Sequence, residues 1–226
     1  MALLKLRGVV HRFGRQVVLR GVDLTVESGS CVALFGGNGT GKSTLLSVLS
    51  TRLRPRSGRY QLSGFDALSD GESARGKLIF VGHHTHLYGH LNPIENLRFF
   101  LDLRGVSRSE DRLHEALEAV GLARFAQRPA GGFSAGMRKR LALARTILAP
   151  PALLLLDEPH SALDRQGAEW LNGMLGAYIE QGGAVVMASH DVARLAPLTY
   201  RVAWLYGGKL WENPPDGTQK VEATTA

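Results

Sequence analysis

The segment GGNGTGKS, residues 36–43, constrains the fold of this chain more than any other segment. It lies between the apolar run CVALF, which reads as a buried strand, and TLLSVLSTRL, which has helical spacing. Its glycines allow backbone N–H groups to turn inward around phosphate oxygens, and the start of the helix adds partial positive charge. The pattern G-x-x-x-x-G-K-[ST] in this context therefore predicts a phosphate-binding loop. We expect Lys42 to reach the β- and γ-phosphates and the Ser43 hydroxyl to ligate Mg²⁺.

The order of the other segments predicts an α/β core that carries a helical insertion. The chain begins with two alternating stretches, ALLKLRGVVHRF and QVVLRGVDLTVESGS, which are typical of β-strands. The runs ALLLLD and AVVMASH read as further buried strands, and RVAWLYGGKLW predicts a hairpin. Residues from about 92 to 150 have mostly helical spacing, as does RQGAEWLNGMLGAYIEQGG between the two later strands. Strands thus alternate with helices at both ends of the chain.

Two acidic residues, Asp157 and Glu158, follow directly on a strand of four leucines. Carboxylates at the carboxyl end of a parallel strand lie where such sheets bind ligands. Asp157 is the natural partner of Mg²⁺, and Glu158 is suited to polarise the water that attacks a phosphoanhydride. A helix cap with a salt bridge is the structural alternative, and the phosphate loop in the same chain argues against it.

The motifs GGNGTGKS, FSAGM, LLLLDEPHSALD and MASHD occur in this order, and together they resemble the ATP-binding subunits of ABC transporters. The resemblance covers residues 1–212, which implies one nucleotide-binding domain followed by a flexible tail over 213–226. It implies a phosphate-loop NTPase core of the ABC ATPase type, with an antiparallel β-subdomain and a helical subdomain at about 92–150. It also implies an ATP hydrolase that uses ATP and Mg²⁺.

The resemblance assigns roles to individual positions. Catalytic roles fall on Lys42, Glu158 and His190, the last resembling the switch histidine that orients the attacking water. A histidine after a buried strand is more often structural, but its position downstream of LLLLDEP favours the catalytic reading. Mg²⁺ is expected at Ser43 and Asp157, with His83, at the position of the Q-loop glutamine, reaching it through a water. ATP-binding roles fall on Phe13 (stacking on adenine), Gly36, Gly37, Asn38, Gly39, Thr40, Gly41, Lys42, Ser43, Thr44, the signature residues Ser134, Ala135 and Gly136, and Asp164 at the end of the D-loop 161–164.

The signature implies that two copies of the chain act together, because in this family each nucleotide lies between one chain's phosphate loop and the other chain's signature. Besides His83, the A-loop aromatic and the signature depart from the family pattern. Phe13 replaces the usual tyrosine and keeps a stacking face. The signature reads FSAGM instead of LSGGQ, so Ala135 permits backbone approach less freely than glycine and Met137 removes an amide.

Within the family, the continuation FVGHHTHLYGHLNPIENLRFFLDLRGV resembles the ATP-binding subunits of cytochrome c maturation, also described as haem exporters. A subunit of another ABC-2-type exporter, for drugs, lipids or polysaccharides, is the alternative, because such exporters share ENL and GMRKR. A soluble ABC ATPase is less favoured, since the chain has one set of motifs and no zinc or coiled-coil insert. The signature and the lack of an N-K-x-D motif argue against a GTPase.

Four of the eight histidines lie within residues 83–90. Their spacing leaves a metal site as one interpretation. However, no Cys, Asp or Glu lies among them. Haem would be the transported cargo, and we do not expect the ATP-binding subunit to ligate it. We therefore predict a mechanical role: His83 senses Mg²⁺ and the attacking water, and residues 84–92, including Leu87 and Tyr88, receive a helix of a membrane partner.

Composition limits the remaining possibilities. The 226 residues carry a formal net charge of +7, spread without a run typical of nucleic-acid binding, so no nucleic-acid partner is expected. The single cysteine, Cys31, excludes a disulfide within the chain, and no apolar stretch reaches the length of a membrane span. The expected partners are an integral membrane permease and a second copy of the chain. The expected location is peripheral, on the cytoplasmic face of the bacterial inner membrane.

Overall fold

The computed structural model describes residues 2–190, 193–195, 197–198 and 200–213. The predicted tail from 214 onwards lies outside the described residues. Two sheets form the body of the described chain. The antiparallel sheet has the order β2-β1-β4-β5, with β1 at Ala2–Phe13, β2 at Gln16–Glu27, β4 at Ser57–Leu62 and β5 at Phe65–Asp66. The second sheet has the order β10-β9-β3-β8-β7-β6, with β3 at Cys31–Phe35, β6 at Leu78–Val81, β7 at Leu153–Asp157, β8 at Ala184–Ala188, β9 at Arg201–Tyr206 and β10 at Lys209–Trp211.

The second sheet is parallel from β9 to β6, and only β10 pairs antiparallel, with β9. Its central strands β3, β7 and β8 are buried along their whole length, which explains why their sequences are continuous apolar runs. Alternate residues of one strand enter different cores, since side chains alternate across a strand. Leu153 and Leu155 pack towards the antiparallel sheet, whereas Leu154 and Leu156 pack on the opposite face, with Leu171.

Helices cover the parallel sheet and form the insertion. A separate apolar cluster joins α3, α4 and α5, including Leu97, Leu117 and Leu141. No helix in the described ranges is long and apolar enough to cross a membrane. The helices are α1 at Lys42–Leu49, α2 at Gly71–Gly76, α3 at Pro93–Leu103, α4 at Glu110–Ala119, α5 at Ala135–Leu148 and α6 at Arg165–Glu180, with single 3₁₀ turns at Ala123–Phe125, Ala130–Gly132 and Ala193–Leu195.

The predicted α/β fold with an antiparallel sheet and a helical segment is confirmed. Two elements were missed by the sequence analysis. β6 was missed because its four residues run directly into the histidine stretch, and α2 because it is short and polar. The local signal for α2 is its cap, since the Asp70 side chain accepts a hydrogen bond from the Ser73 N–H.

The histidine stretch is neither a helix nor a strand but a loop, residues 82–92, between β6 and α3. Asn96 of α3 is buried and anchors this loop. Its side chain accepts from the Tyr88 N–H at 2.8 Å and donates to the carbonyls of Tyr88 at 3.0 Å and Leu91 at 3.1 Å. Arg145 of α5 donates to the carbonyls of Thr85 at 3.1 Å and His86 at 3.0 Å. The loop is therefore fixed to the helical segment, by α3 and by α5.

Candidate active site

The parallel sheet brings four of the predicted site segments to one edge. Leu34 of β3 and Asp157 of β7 both lie level with Ala188 of β8, and Val81 of β6 lies level with Leu156 of β7. Because these four strands run in the same direction, the loops that follow them leave the sheet side by side. The phosphate loop, the histidine loop, the acid pair and His190 all start at this edge.

The backbone of the phosphate loop requires glycine at two positions. Gly36 has φ 149° and Gly41 has φ 107°, which side-chain-bearing residues rarely adopt. A Cβ atom on Gly36 would lie 2.5 Å from the carbonyl oxygen of Leu205, and one on Gly41 would lie 2.8 Å from Val18 Cγ1. The loop is therefore tightly packed on its outer side, which leaves its inner side for a ligand.

Lys42 begins α1 and is 8% exposed. Its Nζ donates to the carbonyls of Gly36 at 2.8 Å and Gly37 at 3.1 Å, so the ammonium lies across the loop. No side chain within the described part of the chain caps the start of α1, and its first turn carries no acidic residue. The free N–H groups and the helix dipole therefore leave this end of the cavity positive and suited to an anion.

The phosphate loop and the acid pair line one open cavity of about 310 Å³. His83 lines it too, which brings it to the phosphate loop, and its predicted sensing role stays a prediction. Val18 of β2 was not predicted to contribute. The cavity is lined by Val18, Asn38, Gly39, Gly41, Lys42, Ser43, Thr44, His83, Asp157 and Glu158.

The two carboxylates differ in environment. Asp157 ends β7 and is 7% exposed. Glu158 leaves the strand with φ 49°, a left-handed conformation that is strained for a residue with a side chain. Its N–H donates to the Ala188 carbonyl at 3.0 Å. The Glu158 carboxylate pairs with His190, with 2.8 Å between Oε2 and Nδ1. The His190 side chain is otherwise 71% exposed, so the carboxylate orients an imidazole that stands at the mouth of the site.

The signature residues lie outside this cavity in the described chain. Ser134 caps α5, and its Oγ accepts from the Met137 N–H at 3.2 Å. Gly136 packs against the D-loop, since a Cβ atom there would lie 2.8 Å from the Ala162 carbonyl oxygen. Asp164 caps α6 and accepts from the Gly167 N–H at 2.7 Å. Asp164 therefore has a structural role within the chain, in addition to the nucleotide contact expected from sequence.

Phe13 lies at the end of β1, opposite Gln16 in the turn that leads to β2. Its ring is half exposed and meets the ring of buried His11 edge-on, with 4.8 Å between centroids. Val18, further along β2, lines the phosphate cavity, so Phe13 is near the site but is not among its lining residues. An exposed aromatic ring beside a phosphate cavity is suited to stack on a base.

The other histidines of the loop diverge from His83. Among the described residues, no group of three or more His, Cys, Asp or Glu side chains is arranged to hold a metal ion. His90 lies against the Tyr88 ring, which also contacts Phe99 edge-on with 4.8 Å between centroids. Burial first, and then the charges of Arg52, His84 and Arg145, lower the pKa of His86, which favours its neutral imidazole.

Sequence reasoning missed Lys139, which reaches the acid pair from α5. It lies within the charged string MRKR, which reads as a solvated face. Ala142 and Leu143 lie three and four residues further along and are in the core. Because residues at this spacing share one face of a helix, they indicate that Lys139 is on the buried face.

A parallel sheet with a G-x-x-x-x-G-K-[ST] loop and an acidic pair at its carboxyl edge defines a phosphate-loop nucleotide-binding protein. Comparison with known proteins narrows this class. A family model described as "ABC transporter" matches residues 19–161. A "Cytochrome c biogenesis ATP-binding export protein CcmA" of Bordetella bronchiseptica is 41% identical, over 84% of this chain and 83% of that protein. The protein of the same name from Salmonella typhi is 36% identical, over 91% of this chain and 98% of its own length.

Solved structures agree with the sequence relatives. The "ATP binding subunit of ABC transporter" has a TM-score of 0.85 at 26% identity, covering 92% of this chain and 88% of that one. An ATP-binding cassette in a dimeric post-hydrolysis state bound to ADP and Pi has a TM-score of 0.82 at 27% identity, covering 92% and 96%. The chain belongs to the ABC transporter family, as an ATP-binding and ATP-hydrolysing subunit similar to the CcmA proteins.

Proposed function

We propose that this chain hydrolyses ATP to drive an export step of c-type cytochrome biogenesis, of the haem-export type, through a separate integral membrane subunit. It would act from the cytoplasmic face of the bacterial inner membrane. The observation that carries the proposal is the convergence of the phosphate loop, Asp157 and Glu158 on one cavity, in a chain whose relatives are export proteins of cytochrome c biogenesis. Other ABC-2-type exporters remain the alternative, and they differ in the membrane partner.

The phosphate loop binds the nucleotide in this proposal. Backbone N–H groups of residues 37–43 and the start of α1 hold the phosphates, and Lys42, held in place by the two loop carbonyls, directs its third N–H towards the β- and γ-phosphates. The Phe13 ring supplies a stacking surface for adenine. Since Lys42 is already held across the loop, its side chain has little freedom left to lose when ATP binds.

Ser43 and Asp157 fit a Mg²⁺ ion. A hydroxyl and a carboxylate are hard oxygen donors, both line the cavity, and Mg²⁺ is usually held by one or two protein ligands together with phosphate oxygens. When bound, the ion neutralises charge on the β- and γ-phosphates. The His83 imidazole lines the same cavity, where it would contact the ion through a water, and it also has a ring nitrogen able to accept from the attacking water.

Glu158 acts as the general base. Its carboxylate lies on the cavity wall and is paired with the His190 Nδ1 atom, so it can accept the proton of the attacking water while the imidazole fixes its orientation. The His190 ring leaves its other nitrogen for the γ-phosphate. The signature residues Ser134, Ala135 and Gly136 would meet the ATP of a second copy, which agrees with their position outside this chain's own cavity.

The membrane partner would contact the loop 84–92. Tyr88, 44% exposed, and Phe99 form an aromatic pair on the surface beside Leu87. Exposed aromatic rings of this kind are typical of protein interfaces. Because the loop begins at His83 in the nucleotide cavity, a partner bound here would sense the state of the nucleotide.

The cellular test of the proposal is the formation of c-type cytochromes. A bacterial strain that lacks the chain should lose covalently bound haem in these cytochromes, while b-type cytochromes, which need no such export, stay unchanged. A plasmid copy should restore them, and a Glu158→Gln copy should not. Normal levels of c-type cytochromes in the deletion strain would contradict the proposed role in their biogenesis and would indicate a different export substrate.

The role of His83 can be tested in the complex with the membrane partner. We expect His83→Ala to lower kcat for ATP hydrolysis by about tenfold, less than the roughly 10²–10³-fold lost when a direct donor to the reacting group is removed, because His83 would act through a water. His83→Gln should retain at least about half of the activity, because an amide oxygen also accepts from water. His114→Ala, the same change on the exposed face of α4, serves as the control. The sensing role is wrong if His83→Ala hydrolyses ATP at the wild-type rate.

A further inference from the structure

Lys139 is a buried lysine whose partners are all backbone or hydroxyl groups of the catalytic segment. It is 5% exposed, and its Nζ donates to the Glu158 carbonyl at 2.6 Å. It also donates to the Ser161 carbonyl at 3.2 Å and to Ser161 Oγ at 2.9 Å. A buried ammonium is costly, and an apolar side chain would fill this space without that cost. The position of the charge therefore calls for an explanation other than packing.

The cost of burial is visible in the protonation equilibrium. Burial lowers the pKa of the Lys139 ammonium to about 8, and the carboxylates of Glu158 and Asp157 oppose this shift. At pH 7 the side chain is still charged. Its three hydrogen bonds are therefore charge-assisted, which makes them stronger than bonds from a neutral donor.

The carbonyl that Lys139 contacts belongs to the residue with the strained backbone. Glu158 has φ 49°, and such a conformation persists only where its surroundings hold it. Its carbonyl accepts from Lys139 Nζ, from Ser161 Oγ at 2.7 Å and from the Ser161 N–H at 3.1 Å, while its own N–H donates to Ala188. The peptide groups on both sides of Glu158 are thus fixed, and with them the direction in which its side chain leaves the backbone.

Lys139 also lies within the helix that the signature residues begin. Lys139 is one turn along α5 from Ser134 and Ala135. Gly136, in the first turn of α5, packs directly on the carbonyl of Ala162. Ala162, like Glu158, has a left-handed backbone, with φ 62°. The first turns of α5, the D-loop and Glu158 therefore form one contiguous unit, and Lys139 supplies its charged connection.

We propose that Lys139 is a positioning residue for ATP hydrolysis: it ties the signature helix to the backbone of Glu158 and thereby sets the direction in which the catalytic side chain leaves that backbone. The inference rests on the proposed role of Glu158 as general base. It has a mechanical consequence. A displacement of the signature turn, where the second copy's nucleotide would bind, is transmitted to the chain's own general base through the Lys139 side chain and through the packing of Gly136 on the D-loop.

The test separates nucleotide binding from turnover in the full-length chain. In Lys139→Met, which has similar length and no charge, kcat for ATP hydrolysis should fall by about 30-fold, part of the 10²–10⁴-fold that a general base contributes. The dissociation constant for ATP should change by less than about twofold, because Lys139 does not line the phosphate cavity.

Lys139→Arg, which keeps a charged donor, should recover most of the lost rate. Lys77→Met, the same change at an exposed lysine, should behave as wild type.

A double variant tests the shared carbonyl. Ser161→Ala should slow hydrolysis less than Lys139→Met, and the double variant should be no more than about twofold slower than Lys139→Met, because both side chains act through Glu158 O. If the two single effects on the rate of hydrolysis instead multiply in the double variant, Lys139 and Ser161 have independent roles. If Lys139→Met fails to fold, Lys139→Gln, whose amide still donates, replaces it in the same comparison.

The Glu158→Gln variant is measured beside these to distinguish failure of the positioning role of Lys139 from failure of the general-base role of Glu158. If it is inactive while Lys139→Met keeps the wild-type kcat, the positioning role is overturned and the general-base assignment stands. The positioning role also fails if Lys139→Met loses ATP affinity and kcat in parallel. An active Glu158→Gln variant overturns the general-base assignment itself, whatever Lys139→Met does.

Discussion

Replacing Glu158 with glutamine is expected to lower kcat for ATP hydrolysis by at least about 100-fold, the range lost when a general base is removed. Glutamine keeps the shape of the side chain, and its amide oxygen can still accept from His190 Nδ1, so the site should remain assembled. ATP binding should therefore be retained. Since ATP is bound but not consumed, the dimer that is closed on two nucleotides should accumulate.

Single-turnover hydrolysis and size-exclusion chromatography in ATP and Mg²⁺ measure the two parts of this expectation. Glu72→Gln provides a matched control, because Glu72 is an exposed carboxylate on α2. Full turnover in Glu158→Gln would assign the base elsewhere. Loss of ATP binding in this variant would instead mean that the carboxylate is needed for the structure of the cavity.

The Lys42→Ala variant should lose ATP binding by about 100-fold or more, since each charge-assisted hydrogen bond to phosphate contributes on the order of 1.5–3 kcal/mol. The loss has a second cause. Lys42 Nζ also bridges the carbonyls of Gly36 and Gly37, so its removal frees the loop that presents the N–H groups to the phosphates. Both effects lower affinity, and neither affects the acid pair directly.

Equilibrium titration with a fluorescent ATP analogue measures this affinity. The rise in thermal midpoint on adding ATP gives an independent readout, because a ligand that binds only the folded state stabilises it. Lys209→Ala, an exposed lysine on β10, should retain both signals. An unchanged dissociation constant in Lys42→Ala would contradict the phosphate-binding role.

The parts of the fold that could be predicted are those with a local physical cause. The strands β3, β7 and β8 are buried on both faces, and their sequences are unbroken apolar runs. The helix α5 could be located because Ser134 caps its start and two prolines follow its end. β6 escaped prediction because four residues are too few for a periodic signal, and its place at the sheet edge depends on pairing with β7.

The residues of the candidate site also divide into those that the local sequence predicts and those that depend on the fold. The phosphate loop and the acid pair follow from residue types and spacing, and the positions of His83 and Phe13 were expected only from the family resemblance. Asn96 and Lys139 were missed, since their roles depend on which distant carbonyls the fold brings to them. Both lie on the buried face of a helix, and a polar residue on such a face is the signal that a sequence can offer.

The left-handed backbone at Glu158 sets activity against stability. Glycine would adopt φ 49° without strain, so the fold alone would favour glycine at this position by roughly 1 kcal/mol. Glycine supplies no carboxylate, so the proposed general base comes at that cost. Selection of this chain for thermal tolerance alone would therefore act against the residue proposed as the base, and an engineered thermostable form would need its gains from other parts of the molecule.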